Sequence, residues 1–196
     1  PVALPHATYA AVRPRADELV RVASAQQGEV WGCRRAPHGP STVDGSVEGS
    51  VEGWAGYAVG VLWALREAGY ALPGVDVLVD SRVPVGAGLS SSAALECSVG
   101  AALLALVDGP LGQVLIDAAV RAETEVVGAP TGGMDQTVAV RGEAGAALLI
   151  DFASGDHTSV ALDLSANTLL VTDTRVSHAL TDGGYGSRRA DCEEAV

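Results

Sequence analysis

The stretch Val75 to Val107 constrains the fold more than any other part of the chain. Its first eleven residues, VDVLVDSRVPV, alternate Val75, Val77 and Val79 against Asp76 and Asp80, the period-2 pattern of a strand with one buried face. The chain then enters a glycine-rich turn, VGAGLSSSAALE (Val85 to Glu96). From Ser90 to about Val107 it has the small, apolar composition of a buried helix. Such a helix needs other elements to cover it, and 196 residues suit one domain or two small ones with a sizeable core.

The surrounding sequence supplies candidates. ATYAAVRPR and ELVRVASA read as two strands joined by a turn at Pro14 to Asp17. A polar, glycine-rich loop follows, in which SVEGSVEG (Ser46 to Gly53) is a tandem echo too short for a repeat architecture. In WAGYAVGVLWALREAG, Trp54, Tyr57, Val61, Leu62 and Leu65 fall at helical spacing and Gly69 is the expected stop. A second helix is expected over roughly Leu111 to Val127, ended by Gly128, Ala129 and Pro130. Short strands are expected at Thr137 to Val140, Ala146 to Phe152, Thr158 to Leu162 and Thr168 to Thr174, and a closing helix from Ser187. Strands and helices mix irregularly, which predicts an α+β fold.

Charge excludes one class of partner. The net charge is -12, and all 12 bases are arginine because the chain contains no lysine, so binding to a nucleic-acid backbone is not expected. No apolar run is long enough to span a bilayer, so no membrane partner is expected either. Cys33, Cys97 and Cys192 lack the spacing of a disulfide framework or a zinc site, which predicts a reducing, cytoplasmic setting. His6, His38, His157 and His178 are scattered without metal spacing and read as structural or surface residues.

A glycine turn that enters a helix presents unpaired backbone N–H groups at the positive end of the helix dipole, a natural seat for phosphate. Gly86 and Gly88 let backbone approach an anion, and Ser90, Ser91 and Ser92 add hydroxyls. The same residues would equally permit close helix packing with Ser90 as N-cap, and the turn alone leaves both readings open. A P-loop is excluded, since it needs a lysine. The dinucleotide fingerprint G-x-G-x-x-G fails at Ser91.

VPVGAGLSSSAALE resembles the second signature of the GHMP kinases, the family of galactokinase, homoserine kinase, mevalonate kinase and phosphomevalonate kinase, and its three-serine form is similar to the galactokinase branch. About thirty residues on, AETEVVGAPTGGMDQ (Ala122 to Gln136) resembles the galactokinase segment that joins a Glu, a G-x-P and a G-x-M-D-Q run. ALLIDF and VTDTRVSHALTDGGYGSRRADCEEA are similar to later parts of the same family, so the likeness runs in order along most of the chain.

The resemblance implies a GHMP kinase fold: a ribosomal protein S5 domain 2-like N-terminal domain over residues 1–164, then the start of a ferredoxin-like domain over 165–196. It implies transfer of the γ-phosphate of ATP to the anomeric hydroxyl of D-galactose by a cytoplasmic monomer. ATP would be held by Gly86, Ala87, Gly88, Leu89, Ser90, Ser91 and Ser92. Mg²⁺ would be held by Ser92 and Glu123, the general base would be Asp135, and the sugar would contact Gly132, Asp135 and Tyr185. Phosphoryl transfer needs such a set: a phosphate cradle, a metal and a group to orient and deprotonate the hydroxyl.

Each of these residues has a plainer reading. An Asp in a loop is usually a turn residue, Glu123 and Glu125 could both sit on a solvated helix face, and Arg188 and Arg189 could pair with Asp191 and Glu193. Thr131 departs from the Cys that galactokinases often carry, with no loss of chemistry expected. The family's first signature, an Arg and a Gly-Glu-His-x-Asp segment, would precede Pro1, and its third would follow Val196. There is no initiator Met and ADCEEAV stops within an apparent helix, so the expectation is a piece of a longer protein without useful activity of its own. Two other readings stay open: a sister kinase for N-acetylgalactosamine or arabinose, or more remotely a mevalonate-type kinase, and a catalytically silent sugar sensor. All of SSSAA is retained, which disfavours the sensor.

Overall fold

The computed structural model describes residues 1–34 and 53–172, with 187, 191, 192, 194 and 195 near the end. The polar SVEG loop, Tyr185 and the Arg188–Arg189 pair fall outside them, apart from Gly53.

Four strands form one sheet: β1 (Thr8–Pro14), β2 (Leu19–Ser24), β3 (Val30–Arg34) and β4 (Val75–Ser81). Their order is β1-β4-β2-β3. β1 and β2 are therefore strands, as expected, but they are not neighbours. β4 lies between them, antiparallel to β1 and parallel to β2, with Val77 opposite Val12 on one side and Val22 on the other. The alternation in β4 explains this central place. Val75, Val77 and Val79 are buried under the helices, while Asp76 faces outward and accepts hydrogen bonds from Arg13 (3.1 Å), Arg15 (2.9 Å) and Arg21 (2.7 Å). β3 was not expected. Gly32 and the polar residues before Val30 obscure its pattern, and pairing with β2 forms it nonetheless.

Over the inner face pack α1 (Ala55–Glu67) and α2 (Ser91–Ala105), with α3 (Gln113–Arg121) beside them. α1 is apolar almost all round because it is enclosed: Val61, Leu62, Ala64 and Leu65 are at most 2% exposed. Gly69 ends the run in a left-handed conformation, φ +94°, as its position predicts. Together with Val99, Leu103, Leu104 and Leu115, these residues and the sheet valines make one core.

The expected Leu111 to Val127 helix divides in two. After α3 the ladder widens into a π-helical turn, Ala122–Val127, closed by Gly128 at φ +79° and a bond from the Ala129 amide to the Glu123 carbonyl of 2.9 Å. Residues 137–140, expected as a strand, belong instead to α4 (Met134–Arg141). The β-branched run TVAV favours a strand by propensity. Packing against α2 and α3 overrides it, and the helix start is fixed by Gly133 at φ +78° and a 2.7 Å bond from the Thr137 hydroxyl to the Gly133 carbonyl. A hairpin of β5 (Ala146–Ile150) and β6 (His157–Ala161) follows. The strand expected at Thr168 to Thr174 is not formed over 168–172, where Leu169, Leu170 and Val171 lie exposed with no strand beside them among the described residues.

Candidate active site

The glycine turn leaves β4 at its C-terminal end and enters α2. Gly86 (φ +75°), Gly88 (φ +70°) and Ser90 (φ +57°) alternate in left-handed conformations. A Cβ on either glycine would meet nothing within 4 Å, so backbone conformation and not crowding requires glycine there. Ser90 occupies the N-cap position, yet its hydroxyl makes no capping bond. The first-turn amides of the 15-residue α2 have no intrahelical partner, and the turn before them is largely exposed.

Below the turn lies a buried polar cluster. Among the described residues, the buried polar or charged ones are Glu96 (0% exposed), Gln136 (0%) and Glu123 (5%), and all three meet. Gln136 Nε2 donates to Glu96 Oε2 at 3.0 Å and to Glu123 Oε2 at 2.6 Å. Glu96 comes from α2, one turn beyond Ser92; Glu123 from the π-helical turn; Gln136 from the first turn of α4, next to Asp135. Gly60 on α1 admits the π-helical turn so closely that a Cβ there would lie 2.9 Å from Ala122 Cβ.

Burial pushes the Glu96 carboxyl up to about 9, helped by the nearby Glu123 and Asp135 charges and opposed by the Gln136 hydrogen bond. Burial likewise raises Glu123, against hydrogen bonds from the side chains of Ser92, Gln136 and Thr131, while the Asp135 charge raises it further. Tyr57, on α1, is pushed up to about 12 by burial and then by these two glutamates. No arginine among the described residues forms an ion pair with Glu96, Glu123 or Asp135. Three carboxyl groups thus converge without a cation among the described residues, beside a serine hydroxyl and open helix amides. That donor set of hard oxygens fits a magnesium ion, which takes few protein ligands and completes its shell with water and phosphate oxygens. No group of three or more His, Cys, Asp or Glu among the described residues is arranged to hold a metal ion by itself.

Ser92, Glu123 and Asp135 are thus brought together, from positions 31 and 12 residues apart in sequence. Glu125 separates from Glu123: it is exposed and pairs with Arg121 at 2.7 Å. Gly132 and Gly133 line an open groove between α3, α4 and the β5–β6 hairpin, together with Arg141, Phe152 and His157. Tyr185 lies outside the described residues.

Residues 56–143, which hold the glycine turn, Glu123 and Asp135, match the family described as GHMP kinases N terminal domain. The full chain is 46% identical over 200 residues to a galactokinase of Streptomyces coelicolor, and 43% identical over 199 residues to one of Streptomyces lividans. In structure it superposes on a Lactococcus lactis galactokinase complexed with galactose with a TM-score of 0.81, over 99% of this chain at 26% identity. The chain belongs to the GHMP kinase family. It spans about half the length of the relatives it matches: 50%, 48% and 49% respectively.

In this GHMP kinase chain, sequence reading missed Glu96, Gln136 and Tyr57, and treated Thr131 only as a departure. Glu96 carried a usable signal. It is an isolated acid within a helix of buried composition, and a carboxyl there is either paired or functional. Gln136 was marked only as the last residue of the G-x-M-D-Q run and Thr131 only as a departure; their contacts had no local sign, because their partners come from other elements.

Proposed function

We propose that the protein to which this chain belongs is a galactokinase, transferring the γ-phosphate of ATP to the anomeric hydroxyl of D-galactose to give galactose 1-phosphate. One observation supports this above the rest: Ser92, Glu123 and Asp135 converge beneath a glycine turn at a helix N-terminus, in a chain whose relatives over its full length are galactokinases. The backbone of Gly86 to Ser92 and the dipole of α2 orient the triphosphate. Ser92 and Glu123 would hold Mg²⁺, which when bound offsets charge on the phosphates. Asp135 accepts the proton of the sugar hydroxyl, a contribution of about a hundred- to ten-thousandfold, and positioning and electrostatics supply the remainder. Gly132 and Tyr185 would contact the sugar. We place the boundary between the N-terminal domain and the next near residues 164 and 165, just after β6, and the protein in the cytoplasm as a monomer. No helix among the described residues is long and apolar enough to cross a membrane.

The test uses the complete gene product and a coupled ADP-release assay. Galactose-dependent ADP release is expected, and Asp135→Ala is expected to abolish it while galactose binding persists. Galactose-independent turnover, or an Asp135→Ala variant with normal turnover, would refute the assignment. A panel including N-acetylgalactosamine and arabinose fixes the sugar. The 196-residue chain alone is expected to show no useful turnover.

A further inference from the structure

Glu96 is not among the residues that phosphoryl transfer requires here, yet its setting is unusual for a merely structural side chain. It is fully buried on α2, and its Oε1 has no hydrogen-bond partner; nor has Oε1 of Gln136. Leaving a buried polar atom unpaired is costly, and an apolar side chain of similar volume would remove this unpaired oxygen. The one hydrogen bond that Glu96 accepts is informative. The Gln136 amide has two N–H donors: one goes to Glu96 Oε2 at 3.0 Å, the other to Glu123 Oε2 at 2.6 Å. With one donor anchored on Glu96, the amide cannot rotate away from Glu123. The neighbouring Cys97 thiol donates to the Gln136 carbonyl at 3.9 Å, so consecutive residues of α2 grip Gln136 by side chain and backbone. Asp135 precedes Gln136 in the same helical turn.

We propose that Glu96 is a positioning residue of the phosphoryl-transfer site, anchoring Gln136 so that one amide fixes the Glu123 carboxylate and the seat of Asp135. This rests on the galactokinase reading given above for the roles of Glu123 and Asp135. The role needs only an acceptor oxygen at Oε2, with no change of protonation. A glutamine at position 96 therefore preserves it, whereas a methionine, of similar length without that acceptor, removes it.

The experiment compares Glu96→Gln and Glu96→Met in the complete protein. Thermal unfolding, ADP release with galactose and calorimetric binding of ADP with and without Mg²⁺ are measured for each. For Glu96→Met, which removes one unpaired buried oxygen and orphans one Gln136 N–H, we expect a folded protein with a Tm near wild type, but a loss of about 10–100-fold in kcat and a similar rise in the Mg²⁺ concentration giving half-maximal turnover, the scale typical of residues that orient metal ligands. Mg²⁺-dependent tightening of ADP should weaken in parallel, and KM for galactose should change less than kcat. Glu96→Gln should restore all of these to near wild type. Unchanged kcat and Mg²⁺ dependence in a folded Glu96→Met protein overturns the proposal, as does a Glu96→Gln variant as impaired as Glu96→Met. If Glu96→Met does not fold, Gln136→Leu cuts the same bridge from the other side and must show the same losses; normal values overturn the proposal. If the wild-type protein releases no ADP with galactose, the galactokinase reading fails by itself. The positioning role is then decided by Mg²⁺-dependent ADP binding alone, with the same ordering of variants required.

Discussion

Replacing Gly60 with alanine tests whether close approach between α1 and the π-helical turn sets the position of Glu123. The added Cβ would lie 2.9 Å from Ala122 Cβ, 3.0 Å from Ala122 Cα and 3.2 Å from Val126 Cβ. Carbon atoms in contact prefer about 3.5–4.0 Å, so the two segments must separate by several tenths of an ångström to roughly 1 Å. Two effects oppose each other in stability. Alanine is better than glycine in a helix interior by about 1 kcal/mol, whereas overpacking a close-packed core costs about 1–3 kcal/mol. The net effect runs from neutral to about 2 kcal/mol destabilising, a fall in Tm of at most a few degrees.

Activity should respond more sharply. Ala122 precedes Glu123 in the π-helical turn, and a 1 Å misplacement at a reacting centre costs as much as about a hundredfold. Melting by circular dichroism and galactose-dependent ADP release in the complete protein measure the two effects. A Gly60→Ala variant that melts higher than wild type and turns over normally would refute the link between helix approach and carboxylate placement.

The other predictions concern charge and backbone. Glu96 titrates near 9 when folded against an ordinary value of 4.5, so the native state binds the extra proton. Stability is therefore full at low pH and falls as pH rises from about 4.5 towards 9, by at most about 1.4 kcal/mol per unit. Glu96→Gln should flatten that slope in urea titrations of the metal-free protein; an unchanged slope would contradict it. Asp76→Ala removes the shared partner of Arg13, Arg15 and Arg21, and should lower Tm by a few degrees at low salt and less at high salt, since such part-exposed pairs contribute about 0.2–1 kcal/mol each. Gly88→Ala forces an alanine to φ +70°, a strain of about 1–2 kcal/mol. Because the turn is exposed, this should weaken ATP binding more than it lowers Tm, as calorimetry alongside melting would show.

Local pattern carried much of the fold. Alternating valines identify β4, and the apolar run after Trp54 identifies α1, because burial imposes those periods directly on adjacent residues. What local pattern could not carry was adjacency. Nothing in ATYAAVRPR or ELVRVASA says that a strand arriving some fifty residues later will part them. Residues 137–140 show the same limit in another form, since propensity written in TVAV yields to packing against helices elsewhere in the chain. The site divides likewise. Ser92, Glu123 and Asp135 were marked by family spacing; Glu96 was passed over despite its oddness in an apolar helix, and the Gln136 bridge exists only once α2, the π-helical turn and α4 have met.

The central place of β4 has a consequence for how the site comes into being. Neither neighbour of β4 adjoins it in sequence, so the sheet cannot close by zipping local hairpins. It closes only when β4 pairs with β1 and β2, both distant from it in sequence, and such non-local closure is slow. The glycine turn follows directly from that strand. The place of the turn therefore depends on pairings made far away along the chain, and a change in β1 or β2 reaches it through β4.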